Sequence, residues 1–240
     1  MLPVSAILFR RFTTAGNQPL NWAGLFSGGR IVADVGATLS ILVALVVWPR
    51  SLRSPGSRAF AWWLALGAVA NIVGGILARN GINNHEIFLC YRLFSVLLLG
   101  LVGYRMLPDR AHRRLVLAVT IGYAVLWAAL ILTGVESPTA VSHFTSPGEK
   151  LAGLIIGILL VAESIRSSDD SPLHHPEAWL GIGLVLSCAT GLALFPIMAE
   201  VMRRSVADAL RLREISSVIN DVALLLWCIP YYRKGVTWTR

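Results

Sequence analysis

Four ionisable residues stand inside apolar stretches of this chain: Asp34, Arg92, Glu163 and Asp221. Asn71, Ser95, Ser187, Thr190, Ser217 and Asn220 add neutral hydrogen-bonding groups in similar surroundings. A charge in lipid is costly, so such residues usually face a bundle interior or a water-filled cavity. The chemistry open to this set is recognition through charge and hydrogen bonds, or an ion pair that joins helices. Ser217 and Asp221 share one helix face, as do Ser216 and Asn220, because residues four apart lie one above the other. Arg92 is expected to pair with Asp221 or Asp34, since an unpaired charge at that depth is expensive. Glu163 precedes Arg166 by one helical turn, which predicts a local pair at the membrane boundary.

Other chemistries lack their residues. A retinal Schiff base needs a lysine within a span, and Lys150 and Lys234 fall at boundaries. Bundle-bound haem needs histidines inside helices, whereas His85, His112, His143, His174 and His175 fall in loops or at edges. The pair His174-His175 with Glu177 reads as a solvated loop, and no metal site is expected. No phosphate loop, nucleophile elbow or zinc helix motif is present. Without a nucleophile–base pair, a membrane enzyme ranks last. The three cysteines, Cys90, Cys188 and Cys228, all lie in apolar stretches and read as packing residues.

The elements that must position these groups are apolar helices. Seven stretches fill most of the chain after Arg30, at about 31–48, 59–78, 86–104, 115–134, 151–165, 178–199 and 215–232. Crossing the hydrocarbon core takes about 20 residues. The fifth stretch is the shortest and is closed by Glu163 and Arg166, so a six-span chain is the alternative count. The sequence is 55% hydrophobic and 14% charged, where a soluble domain carries about a quarter charged residues. The expected fold class is therefore all-α, a polytopic bundle of seven transmembrane helices over 31–232. An interfacial segment (1–30, with Phe9, Phe12, Trp22 and Phe26) would precede it and a short tail (233–240) would follow. Residues 2–9 are short for a signal-peptide core, and their charges follow rather than precede them.

The net charge of +8 sits in short loops, which favours topology and anionic lipid over nucleic acid. Arg50, Arg53 and Arg58, then Arg105, Arg110, Arg113 and Arg114, then Arg233, Lys234 and Arg240 fall on one side of a seven-span chain. That side is expected to be cytoplasmic, with the N-terminus outside. Arg10, Arg11, Arg30, Arg203, Arg204 and Arg211 lie on the other side and weaken the bias. With this orientation Asp34 lies about 5 Å below the outer boundary, and Asn71, Arg92 and Asp221 about 10 Å below it.

The second and sixth stretches share a pattern: Trp63, Leu64, Gly67, Asn71 and Gly75 match Trp179, Leu180, Gly183, Ser187 and Gly191 at a constant offset. Leu97, Leu98, Tyr104 and Arg105 match Leu225, Leu226, Tyr232 and Arg233. These matches suggest a parallel repeat of three helices, one linker helix and three helices, an arrangement found in some transporters. The small residues Gly67, Gly75, Gly183, Ser187 and Gly191 also predict seams for close helix packing.

Asn71, the run Asn80-Gly81-Ile82-Asn83-Asn84, the run Pro176-Glu177-Ala178-Trp179 and Asn220 together carry a resemblance. The chain resembles an uncharacterised group of small bacterial seven-helix membrane proteins, which implies fold rather than activity. That pattern often has an acidic residue near Ser95 and a tyrosine near Ser187, and this chain has neither. The expected function is a non-enzymatic, receptor-like or accessory module of the bacterial inner membrane. It would bind a small or lipidic ligand, or a partner membrane protein, through Asp34, Asn71, Arg92, Asn220 and Asp221 in the outer half of the bundle. No cofactor is expected. A small-solute transporter and a structural subunit of a larger complex are the alternatives.

Overall fold

A computed structural model describes residues 38–50, 54–137, 144–166 and 171–232. Asp34, the segment 1–30 and the tail 233–240 lie outside the described residues. Those described form seven α-helices and a short 3-10 turn, without strands. We number them α1 (Thr38–Arg50), α2 (Pro55–Arg79), α3 (His85–Met106), α4 (Arg110–Leu132), α5 (Thr145–Arg166), α6 (Pro176–Arg204) and α7 (Val206–Tyr232). Five of them, in α2, α3, α4, α6 and α7, are long and apolar enough to cross a membrane. The helical apolar bundle is that of an integral membrane protein. The described part of α1 is shorter, and charged residues bracket the apolar run 151–162 of α5.

Local chemistry starts and stops the helices. Ser54 Oγ accepts from Ser57 N at 3.1 Å, and Pro55 follows it, where a missing N–H costs nothing. Asp109 caps α4 by accepting from Ala111 N at 2.7 Å. Helix α5 is capped from a distance: the Glu136 carboxylate accepts from Phe144 N and Thr145 N. Gly81 and Gly134, both at φ +69°, let the chain leave α2 and α4 through the left-handed region.

Helix α6 packs along both α5 and α7, α2 packs on α3, and α3 also meets α4 and α5. The tightest seam joins α5 to α6. A Cβ on Gly181 would lie 2.7 Å from Gly157 O, and one on Gly157 would lie 3.1 Å from Gly181 O. Such close approach lets dispersion and weak polar contacts hold helices together where water drives nothing. Among the expected seam residues, Gly183 lies under the Trp227 indole, and Gly191 under the Lys150 stem. Gly75 departs from expectation: nothing lies within 4 Å of its would-be Cβ. Gly74 takes the packing role, because it is the glycine turned toward Phe88 on α3.

The core fills one half of the bundle, toward the α3–α4 loop. Val47, Phe60, Val102, Leu107, Val116, Ile156, Leu160 and Leu180 are all fully buried there. Phe60, Trp63 and Trp227 stack among them, with ring centroids 5.0–5.7 Å apart. The outside is apolar too: Leu45, Ile121 and Val125 are 64%, 60% and 62% exposed. Exposed aliphatic side chains of this kind suit a surface wetted by lipid.

Candidate functional site

In the half of the bundle away from that core, the helices part around a cavity of about 270 Å³. Helical spacing explains who lines it. Trp63, Gly67 and Asn71 are successive turns of one face of α2, and Tyr91, Ser95 and Leu99 do the same on α3. Helix α5 contributes Glu149, Lys150 and Gly153; α6 contributes Leu184, Ser187 and Cys188. Asn220, Leu224 and Trp227 come from α7, Ser40 from α1, and Leu64 and Ala68 from α2. Gly67 matters here as open space: its would-be Cβ lies 3.5 Å from the Tyr91 hydroxyl.

The lining is graded. Trp63, Leu64, Leu99, Leu184, Leu224 and Trp227 form an apolar floor against the core. Asn71, Tyr91, Glu149, Lys150, Ser187 and Asn220 form the polar part. Two of the hydroxyls have neutral partners. Trp63 Nε1 donates to Ser95 Oγ at 2.9 Å, and Ser187 Oγ donates to Asn220 Oδ1 at 2.5 Å. Trp227 Nε1 donates to Leu180 O at 3.2 Å, which fixes the indole across Gly183. These arrangements position donors, acceptors and apolar surface for binding. None of these three hydrogen bonds joins a hydroxyl to an ionisable side chain.

Arg92 Nε lies 3.8 Å from Glu149 Oε2. Of the two partners expected for Arg92, Asp34 lies outside the described residues, and Asp221 makes no ion pair among them and does not line the cavity. The reason is topological: α3 packs against α5 rather than α7, so the carboxylate beside Arg92 comes from α5. Asn71 and Asn220 line the cavity, together with the seam residues Gly67 and Ser187. Glu149 and Tyr91 were not among the residues expected from the sequence, and Lys150 was placed at a span boundary. A signal was present, since Glu149 extends the Gly153 and Gly157 series by one further turn.

Glu136 lies at the same end, 4% exposed. Burial pushes its carboxyl up, but the N–H groups of Phe144 and Thr145 outweigh that and hold it below the usual carboxylate range. A second polar cluster joins α4 and α5 at the opposite end. Arg166 Nη1 lies 3.0 Å from Asp109 Oδ2, and Nη2 lies 4.0 Å from Glu163 Oε2, the pair expected from their spacing. His112 Nδ1 is 3.4 Å from the same Glu163 oxygen. The Ala111 N–H, assisted by Arg166 and opposed by desolvation, holds Asp109 below the usual carboxylate range. Among the described residues no three metal-ligating side chains converge.

Comparison of this chain with protein families, with curated proteins and with solved structures finds no match. The cavity's own geometry therefore carries the functional argument.

Proposed function

We propose that this chain is a seven-span, non-enzymatic binding module of a bacterial inner membrane, and that its ligand occupies the α2–α3–α5–α6–α7 cavity. The observation that carries the reading is one cavity with an aromatic floor and a polar wall, both built from side chains of several helices. Ligand sites are mostly apolar concavities with a few placed polar groups, commonly about 300–1,000 Å³. A volume of about 270 Å³ suits a small or narrow ligand. The basic loops favour a cytoplasmic α3–α4 loop, which would put the cavity in the outer half of the membrane. The resemblance to small bacterial seven-helix proteins supports the same topology.

Transport is the second reading, and one feature favours it. Helix α2 packs on α3 as α6 packs on α7, and α3 meets α5 as α7 reaches α1, with Tyr232 Oη donating to Val46 O at 3.3 Å. That correspondence supports a parallel three-one-three repeat. Among the described residues the half beyond the floor is packed with apolar side chains, which favours binding over passage.

The test is purification from native membranes in mild detergent, followed by mass spectrometry of everything retained. A small amphiphile held by the wild type and lost from Gly67→Leu is the expected result. Retention of no small molecule, with a membrane protein copurifying stoichiometrically, would replace the reading with a structural subunit.

A further inference from the structure

The cavity wall holds an ammonium group beside an apolar floor, and that pairing names the class of ligand. Lys150 lines the wall, its stem lying over the α6 backbone at Gly191, where a Cβ would sit 3.3 Å from both Cγ and Cδ. It makes no direct hydrogen bond or ion pair among the described residues. The carboxylate that bears most on it is that of its own neighbour, Glu149, and that group also faces Arg92 at 3.8 Å. Glu136, at the same end, accepts from two backbone N–H groups at the start of α5, where the helix dipole is positive. Lys150 and Arg92 thus share Glu149 between them. The Lys150 ammonium stands without a direct bond of its own, beside a floor of indole and leucine side chains.

An ammonium in such surroundings is stabilised by an anion brought to it, because low local dielectric strengthens the attraction. The floor meanwhile favours hydrocarbon. We infer that the cavity takes an amphiphile with a single anionic head group, a carboxylate or a phosphate ester, its charge held by Lys150 and its chain lying against Trp63 and Trp227. The inference rests on the binding reading above and adds the charge of the ligand. The same chemistry has two sources, a free fatty-acid-like molecule or an anionic membrane lipid.

The test uses the full chain in phosphatidylcholine nanodiscs, with three brominated probes of equal length: 10-bromodecanoate, 10-bromodecanol and 10-bromodecyltrimethylammonium. Bromine quenches indole fluorescence on contact, and two indoles form the floor. The expected result is saturable quenching by the acid, about tenfold or more tighter than by the alcohol, and none by the ammonium. Lys150→Met should reduce the acid to the level of the alcohol, and Lys150→Arg should restore it. The three-probe comparison on the wild type needs no variant, so a misfolded Lys150→Met leaves the test intact. Equal affinity for acid and alcohol would overturn the head-group assignment and leave cavity binding standing. Absence of saturable quenching by all three would overturn both. Discs in which phosphatidylglycerol replaces part of the phosphatidylcholine separate the sources. A weaker acid response there, measured against Lys150→Met in the same discs, assigns the site to the lipid, and an unchanged one to the free amphiphile.

Discussion

Toward the α3–α4 loop, Phe60, Trp63 and Trp227 interlock with leucines from α5 and α6. Toward the α4–α5 loop, the same helices stand apart around about 270 Å³ of space. Trp63 and Trp227 belong to both regions, each ring packed on one side and bordering the cavity on the other. The difference follows from residue size and polarity along each helix. On α2 the turns run Phe60, Leu64, Gly67, Asn71, so the face that fills the core becomes small and polar one turn later. On α6, Leu180 and Leu184 give way to Ser187 and Gly191 in the same way. Packed residues hold the helices at fixed separation, and small ones then leave a gap that the chain does not close.

The contrast predicts unequal sensitivity to mutation. Phe60→Ala should cost about 3–5 kcal/mol, because it removes a fully buried ring and leaves a void that neighbouring backbones cannot fill. Asn71→Ala, on the same helix but at the cavity, should change stability by no more than about 0.5 kcal/mol. Reversible unfolding in mixed detergent micelles compares the two. Similar losses would mean that the cavity half is packed as tightly as the core.

Glycines sharpen the same comparison at smaller magnitude. Gly181→Val would press its Cβ against the backbone of α5 and should cost about 1–3 kcal/mol. Gly67→Ala meets just the Tyr91 hydroxyl, at ordinary contact distance, and should stay within about 0.5 kcal/mol. Thermal unfolding of purified protein in nanodiscs reads both, and a costly Gly67→Ala would show a closed cavity.

The smallest effect is expected where a helix start depends on a carboxylate at the surface. Asp109 has a folded-state pKa below its ordinary value, so its contribution is present above the ordinary carboxylate range. That contribution is lost as pH falls through the lower, folded value. Asp109→Ala should therefore lower thermal stability slightly at neutral pH and leave a shallower acid-side slope than the wild type. Parallel stability–pH curves for the two proteins would count against the cap.

Much of the fold was legible because apolar length is written into the chain. The runs around Trp63, Leu98, Ala124, Leu186 and Leu225 give the five span-length helices, each within a few residues of its expected bounds. The cavity was legible in part. Asn71 and Asn220 follow from polarity at similar depth, and Ser187 from its place on the same face as Gly183 and Gly191. The contact of Arg92 with Glu149 was not legible, and Asp34 lies outside the described residues: equal depth places groups in one layer, but helix adjacency decides which of them meet. Glu149 and Lys150 stood at a span boundary, where charged residues ordinarily turn to water or head groups. Gly75 shared the seam spacing of Gly67, yet the rotation of α2 turned Gly74 toward α3 instead.

The sequence by itself determined that the chain is helical and apolar, and where its polar groups fall along each helix, because those properties depend on residue type and rise per residue. Only the tertiary structure decided that α3 lies beside α5, that Arg92 faces Glu149, and that Lys150 turns into a cavity. Those outcomes depend on which faces pack, and packing is settled by all the helices together.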